Sequence, residues 1–125
     1  MLVHEEVTQA ILGAAIEVHS VLGPGLLEAV YEECLCRELA LRHVPFVRQS
    51  GIHVSYKGSS VGLAYRVDLL VDDKVLVELK SVDTVFPIFE AKLMNCMRLS
   101  GKRVGLLINF NVTRLMPAGV LRRVL

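Results

Sequence analysis

Apolar residues recur at Val7, Ile11, Ala14, Ala15, Val18 and Leu22, three and four apart, with Glu5, Glu6, Gln9 and Glu17 between them. That spacing predicts an amphipathic helix over residues 4–21, ended by Gly23-Pro24-Gly25. A second stripe, Leu27, Val30, Leu35 and Leu39, predicts a helix from about 26 to 42, with Pro45 barring any continuation. From Phe46 the period switches to two. Strands are expected over 46–49 and 52–56, then a Lys57-Gly58-Ser59-Ser60 turn, a longer strand over 61–71, an Asp72-Asp73 turn and a strand over 74–80. Residues 86–99 read as a helix with Pro87 in its first turn and Gly101 closing it. Residues 104–109 form an uninterrupted apolar run, as in a buried strand, and 120–125 suit a short last strand. Neither repeat nor linker breaks the order. The expectation is one domain over 1–125 of α/β (α+β) class, a mixed sheet of a three-stranded antiparallel meander plus further strands, flanked by helices.

The hairpin at 65–80 carries the most chemistry. Side chains alternate between the faces of a strand. If Val67, Leu69 and Val71 share one core with Val75, Val77 and Leu79, then Val71 lies opposite Val75 and Leu69 opposite Val77. That register puts Asp68 opposite Glu78 and Arg66 opposite Lys80, all on the other face, and it requires a turn with an odd number of residues, three with a bulge. Opposed Cβ atoms are about 4.5–5.5 Å apart. Two carboxylates that close resist joint ionisation unless a cation lies between them. Such oxygen pairs suit Mg²⁺ or Mn²⁺, which fill their remaining positions with water. Lys80 stands where it can orient a water or meet charge developing on a phosphate. A solvated face shows the same alternation, with Arg66, Lys74 and Lys80 balancing the acids. Leu70 and Leu76 on that face argue instead for a groove covered by a helix.

Composition narrows the classes. With 53% hydrophobic and 22% charged residues the 125-residue chain is not a disordered one. A net charge of +1 offers no general attraction to nucleic acid, so any such site must be a local patch. No apolar run is long enough to span a bilayer, and the stretch from Met1 to Glu6 lacks the pattern of a secretory signal. Three cysteines cannot all pair within one chain; reduced thiols in a cytoplasmic protein are expected. A zinc site using His19, His43 or His53 is disfavoured, because no CxxC or HxxxH spacing occurs. So apolar a small chain is expected to form a homodimer.

Asp68 on one strand and Glu78-Leu79-Lys80 on the next resemble the PD-(D/E)XK nuclease superfamily. Gly25-Leu26-Leu27-Glu28-Ala29-Val30-Tyr31 is similar to GxxExxY, the signature of a family of small proteins within it, as are Gly23-Pro24-Gly25 and the run Gly105 to Asn111. The resemblance implies a core of helix, three-stranded meander, helix and strand. It implies Asp68 and Glu78, joined by Glu28 from a helix, as ligands of Mg²⁺ or Mn²⁺, and Lys80 as the catalytic lysine. The expected function is a metal-dependent phosphodiester hydrolase of nuclease type, with Lys80 positioning the attacking water and Lys92, Arg66 and Lys57 touching nucleic-acid phosphates. A charge at a helix start is the plain alternative for Glu28. There are departures: Phe89-Glu90-Ala91-Lys92 stands where the family usually has His-Glu-Ala-Gln, and Cys96 where it commonly has Tyr. Lys92 therefore either adds a phosphate-binding cation beside Lys80 or fills the metal's place. The second case makes the protein a catalytically silent member, serving as a nucleic-acid- or protein-binding module.

Overall fold

A computed structural model of the chain describes residues 2–125 and, among these, every side chain but that of Ala64. Met1, the start of the N-terminal reading above, lies outside the described residues. The elements run α1 (Glu5–Leu22), α2 (Glu28–Leu41), β1 (Phe46–Tyr56), β2 (Ser59–Val71), β3 (Val75–Lys80), α3 (Pro87–Ser100), β4 (Val104–Asn109) and β5 (Val120–Val124). The five strands make one mixed sheet in the order β1-β2-β3-β4-β5. The first three form the expected antiparallel meander, β3 and β4 run parallel around the α3 crossover, and β5 returns antiparallel to β4. No described helix is long and apolar enough to cross a membrane.

Each face of the sheet carries its own helical layer. Ile11, Ala14, Ala15 and Val18 of α1 and Tyr31, Leu35 and Leu39 of α2 close over Leu69, Val71, Val75, Val77, Leu79, Leu106 and Ile108. On the opposite face Leu93, Cys96 and Met97 of α3 pack with Ile52, Val67, Leu76 and Leu107. With both faces covered, all six residues of β4 are buried, which is why its sequence is an unbroken apolar run. Gly105 lets α3 come close: a Cβ there would stand 2.7 Å from the Met97 sulfur and 2.9 Å from Leu93.

Helix α2 begins at Glu28, two residues later than the apolar stripe predicts. The Tyr31 hydroxyl accepts the Leu26 N–H at 3.2 Å and donates to the Gly23 carbonyl at 2.5 Å, holding 23–26 as a loop. That loop needs φ +70° at Gly23 and +96° at Gly25, values open to glycine at little cost. Tyr31 itself is fully buried and stacks on Phe110 with ring centroids 4.4 Å apart. The segment expected as two strands, 46–49 and 52–56, is the single strand β1, with register shifts after Ile52 and Val54.

The hairpin register is as expected: Val71 pairs with Val75 and Leu69 with Val77 across the three-residue turn Asp72, Asp73, Lys74. Alternation does not hold along the whole of β2. Leu69 and Val71 face α1 and α2, whereas Val67 packs beneath α3. Strand β2 changes faces at Asp68.

Candidate metal centre

The β2–β3 ladder pairs Leu69 with Val77, and beyond that pair two acidic side chains take over from the backbone. The Asp68 N–H donates to Glu78 Oε1 at 2.8 Å, and the Leu79 N–H donates to Asp68 Oδ2 at 2.8 Å. Each carboxylate is thus anchored through one oxygen to the neighbouring strand, and the pair is brought together as the register predicts. Across β1, Arg48 pairs with Leu69 and Ser50 with Val67, so Gln49 stands opposite Asp68, and it does so with φ +50°. A left-handed glutamine within a strand is a costly conformation. It aims the amide so that Nε2 donates to Asp68 Oδ1 at 3.3 Å and to Glu32 Oε1 at 3.0 Å. Glu32 also accepts from Arg48 at 3.0 Å.

Burial and charge act together on this pair. Glu78 is only 8% exposed. Burial, then the charge of Asp68, pushes its carboxyl up to about 7, against the opposing pull of the Asp68 N–H and of Lys80 and Lys92. Burial also raises Asp68, partly offset by the Leu79 N–H and by Gln49. Two lysines stand beside the acids without neutralising them. Lys80 Nζ lies 4.4 Å from the centroid of the Phe89 ring, and Lys92 Nζ lies 4.7 Å from that of Tyr65. Among the described residues neither lysine forms an ion pair with Asp68 or Glu78.

The site sits at the carboxyl end of β3, where open sheets with helices on both faces commonly bind ligands. The loop after Lys80 is held by Asn109, a buried amide at the end of β4. Its Oδ1 accepts from the Val82 N–H at 3.1 Å and its Nδ2 donates to the Val82 carbonyl at 3.0 Å. The Phe110 N–H donates to the Lys80 carbonyl at 2.9 Å.

The other residues singled out from the sequence lie apart. Arg66 does not pair with Lys80: it is exposed and opposite Gly51, because the face change at Asp68 breaks the alternation that would have aligned the two. Lys57 occupies the tip of the β1–β2 hairpin over the Tyr56 ring, roughly 30 Å along the strand from Asp68. Glu28 is exposed at the first turn of α2, and its side chain makes no hydrogen bond among the described residues. Gln49, Glu32, Tyr65 and Asn109 were missed. Only Asn109, the polar end of a buried apolar run, left a trace in the sequence.

The donor set fits a hard divalent cation: two neighbouring carboxylates, each anchored through one oxygen, with no lysine paired to them. No three His, Cys, Asp or Glu side chains converge among the described residues, so two acids are the whole side-chain set there. The family model of the PD-(D/E)XK nuclease superfamily matches residues 5–124. The chain belongs to that superfamily, whose nucleases generally use divalent metals. No curated protein and no solved structure gives a significant match.

Proposed function

We propose that the protein is a Mg²⁺- or Mn²⁺-dependent phosphodiester hydrolase acting on nucleic acid. The observation that carries this reading is the reciprocal clasp of half-buried Asp68 and buried Glu78, which, among the described residues, leaves Glu78 Oε2 without a hydrogen bond and Asp68 Oδ1 with only the Gln49 amide. A bound cation supplies Lewis-acid polarisation of the phosphoryl oxygen and a more acidic water. Asp68 and Glu78 orient it. Lys80, on the same side of β3 as Glu78, positions the attacking water and meets the charge that develops on the phosphate. Lys92 contacts a neighbouring phosphate, and Arg66 and Lys57 serve only a substrate long enough to reach them. The motif adds Glu28 as a third ligand; it does not converge with the pair, so Glu28→Ala is expected to weaken Mn²⁺ binding less than about tenfold.

The test is Mn²⁺ titration calorimetry on the wild type beside Glu78→Ala, followed by cleavage of labelled oligonucleotides. Binding lost in the variant supports the site. Lys80→Ala should keep Mn²⁺ and cleave about 10²–10³-fold more slowly. A folded wild type that binds no Mn²⁺ ends this reading in favour of the silent binding module. Against that second reading, Lys92 rests on Tyr65 and forms no ion pair with the carboxylates. A homodimer, which would double the basic surface, predicts twice the chain mass by light scattering.

A further inference from the structure

Beside the carboxylate pair, α3 and β2 form an open pocket of about 180 Å³ lined by Tyr65, Lys92, Asn95, Cys96 and Leu99. Its wall is an aromatic ring, its floor a buried thiol and its rim a leucine and an amide. The Asn95 side chain is held by Arg98, which donates to its Oδ1 at 3.0 Å and leaves the NH₂ group to donate elsewhere. Lys92 closes over the ring with its ammonium 4.7 Å from the centroid. Tyr65 stands three residues before Asp68 on β2 and packs against the same apolar cluster as Cys96, which places the pocket beside the acids.

We infer that this pocket receives the base of an unpaired nucleotide flanking the phosphate at the carboxylate pair, so that the substrate is a single-stranded or locally unpaired nucleic acid. The inference rests on the phosphodiester reading above and adds the substrate class. A flat, polarisable ring with an amide at the rim matches a nucleobase, which stacks through its face and offers acceptors at its edge. The base replaces the Lys92 ammonium on the Tyr65 ring, and the displaced ammonium is then free to meet the adjoining phosphate. A base inside a duplex is stacked on both faces and cannot enter. A net charge of +1 offers no general attraction to a duplex, and Lys57 and Arg66 stand apart from the acids.

Short single-stranded DNA, single-stranded RNA and duplex DNA of one sequence, labelled and followed by fluorescence anisotropy without divalent cation, test the idea. Either single strand should bind at least about tenfold more tightly than the duplex. Tyr65→Ala should lose about tenfold of that binding while Tyr65→Phe keeps it, with Mn²⁺ affinity unchanged in both. Because Tyr65→Ala removes a half-buried ring, the wild type is also irradiated with a 5-iodouracil-substituted strand, and the cross-link should map to Tyr65. Equal binding of duplex, full binding by Tyr65→Ala, or cross-links confined to other residues would overturn the pocket. Failure to bind any strand while Mn²⁺ still binds sinks the pocket alone; failure to bind Mn²⁺ removes the reading beneath it.

Discussion

Tyr31 and Glu78 are both buried polar side chains, one on each side of the sheet, and their surroundings differ in kind. The Tyr31 hydroxyl has a donor and an acceptor, and its ring stacks on Phe110. Glu78 has one backbone N–H for one oxygen, a second carboxylate beside it, and two lysines that rest on aromatic rings. A satisfied buried group contributes stability, whereas a buried acid pair without a matching cation costs stability until something binds it. The first is architecture and the second is the proposed site.

The contrast can be broken most severely at Tyr31. Tyr31→Ala leaves a cavity against Phe110 and frees the Gly23–Leu26 loop, and should cost about 3–5 kcal/mol in urea unfolding. The folded remainder should still bind Mn²⁺. If Tyr31→Ala instead abolishes Mn²⁺ binding at full stability, the division between architecture and site is wrong.

A somewhat smaller effect is expected from the pH dependence of Glu78. Its carboxyl ionises near 4.5 when unfolded and near 7 when folded. Below the lower value it is protonated in both states and carries no penalty. Between the two the unfolded chain releases a proton that the folded chain keeps, so stability falls as pH rises, by about 3 kcal/mol in all. Above 7 the penalty is constant. Glu78→Gln should flatten this slope in urea midpoints measured across that range. Mn²⁺ should restore stability at pH 8, with proton release visible in calorimetry repeated in buffers of different ionisation enthalpy. An unchanged slope in Glu78→Gln would show that the acid is not held in the strained state its burial implies.

The smallest effect belongs to Gln49. Gln49→Ala removes the bonds to Asp68 and Glu32 and should weaken Mn²⁺ binding about tenfold without abolishing it. Gln49→Gly separates conformation from contact: glycine accepts φ +50° freely, so any loss that remains belongs to the amide. Affinity equal to wild type in both variants would make Gln49 a bystander.

Much of this protein was determined by the sequence alone. Period 3.6 then period 2 marks the helices and the meander; Pro87 and Gly101 bound α3; the apolar run of β4 announces a strand covered on both faces. The Asp68–Glu78 pairing was legible because apolar alternation on two strands permits one register only, and a slip by one residue would bury the wrong half. That same logic assumes an unbroken strand, and there it ends. The move of Val67 to the α3 face, the separation of Arg66 from Lys80 and the left-handed turn of Gln49 belong to one local irregularity that no residue type in the stretch signals. The resting places of Lys80 on Phe89 and Lys92 on Tyr65 were equally hidden, because each joins elements distant in sequence or on opposite sides of a groove. Local pattern sets which residues can form an element and which way they face; only packing of the elements decides which charges meet, which are kept apart, and therefore what the site can bind.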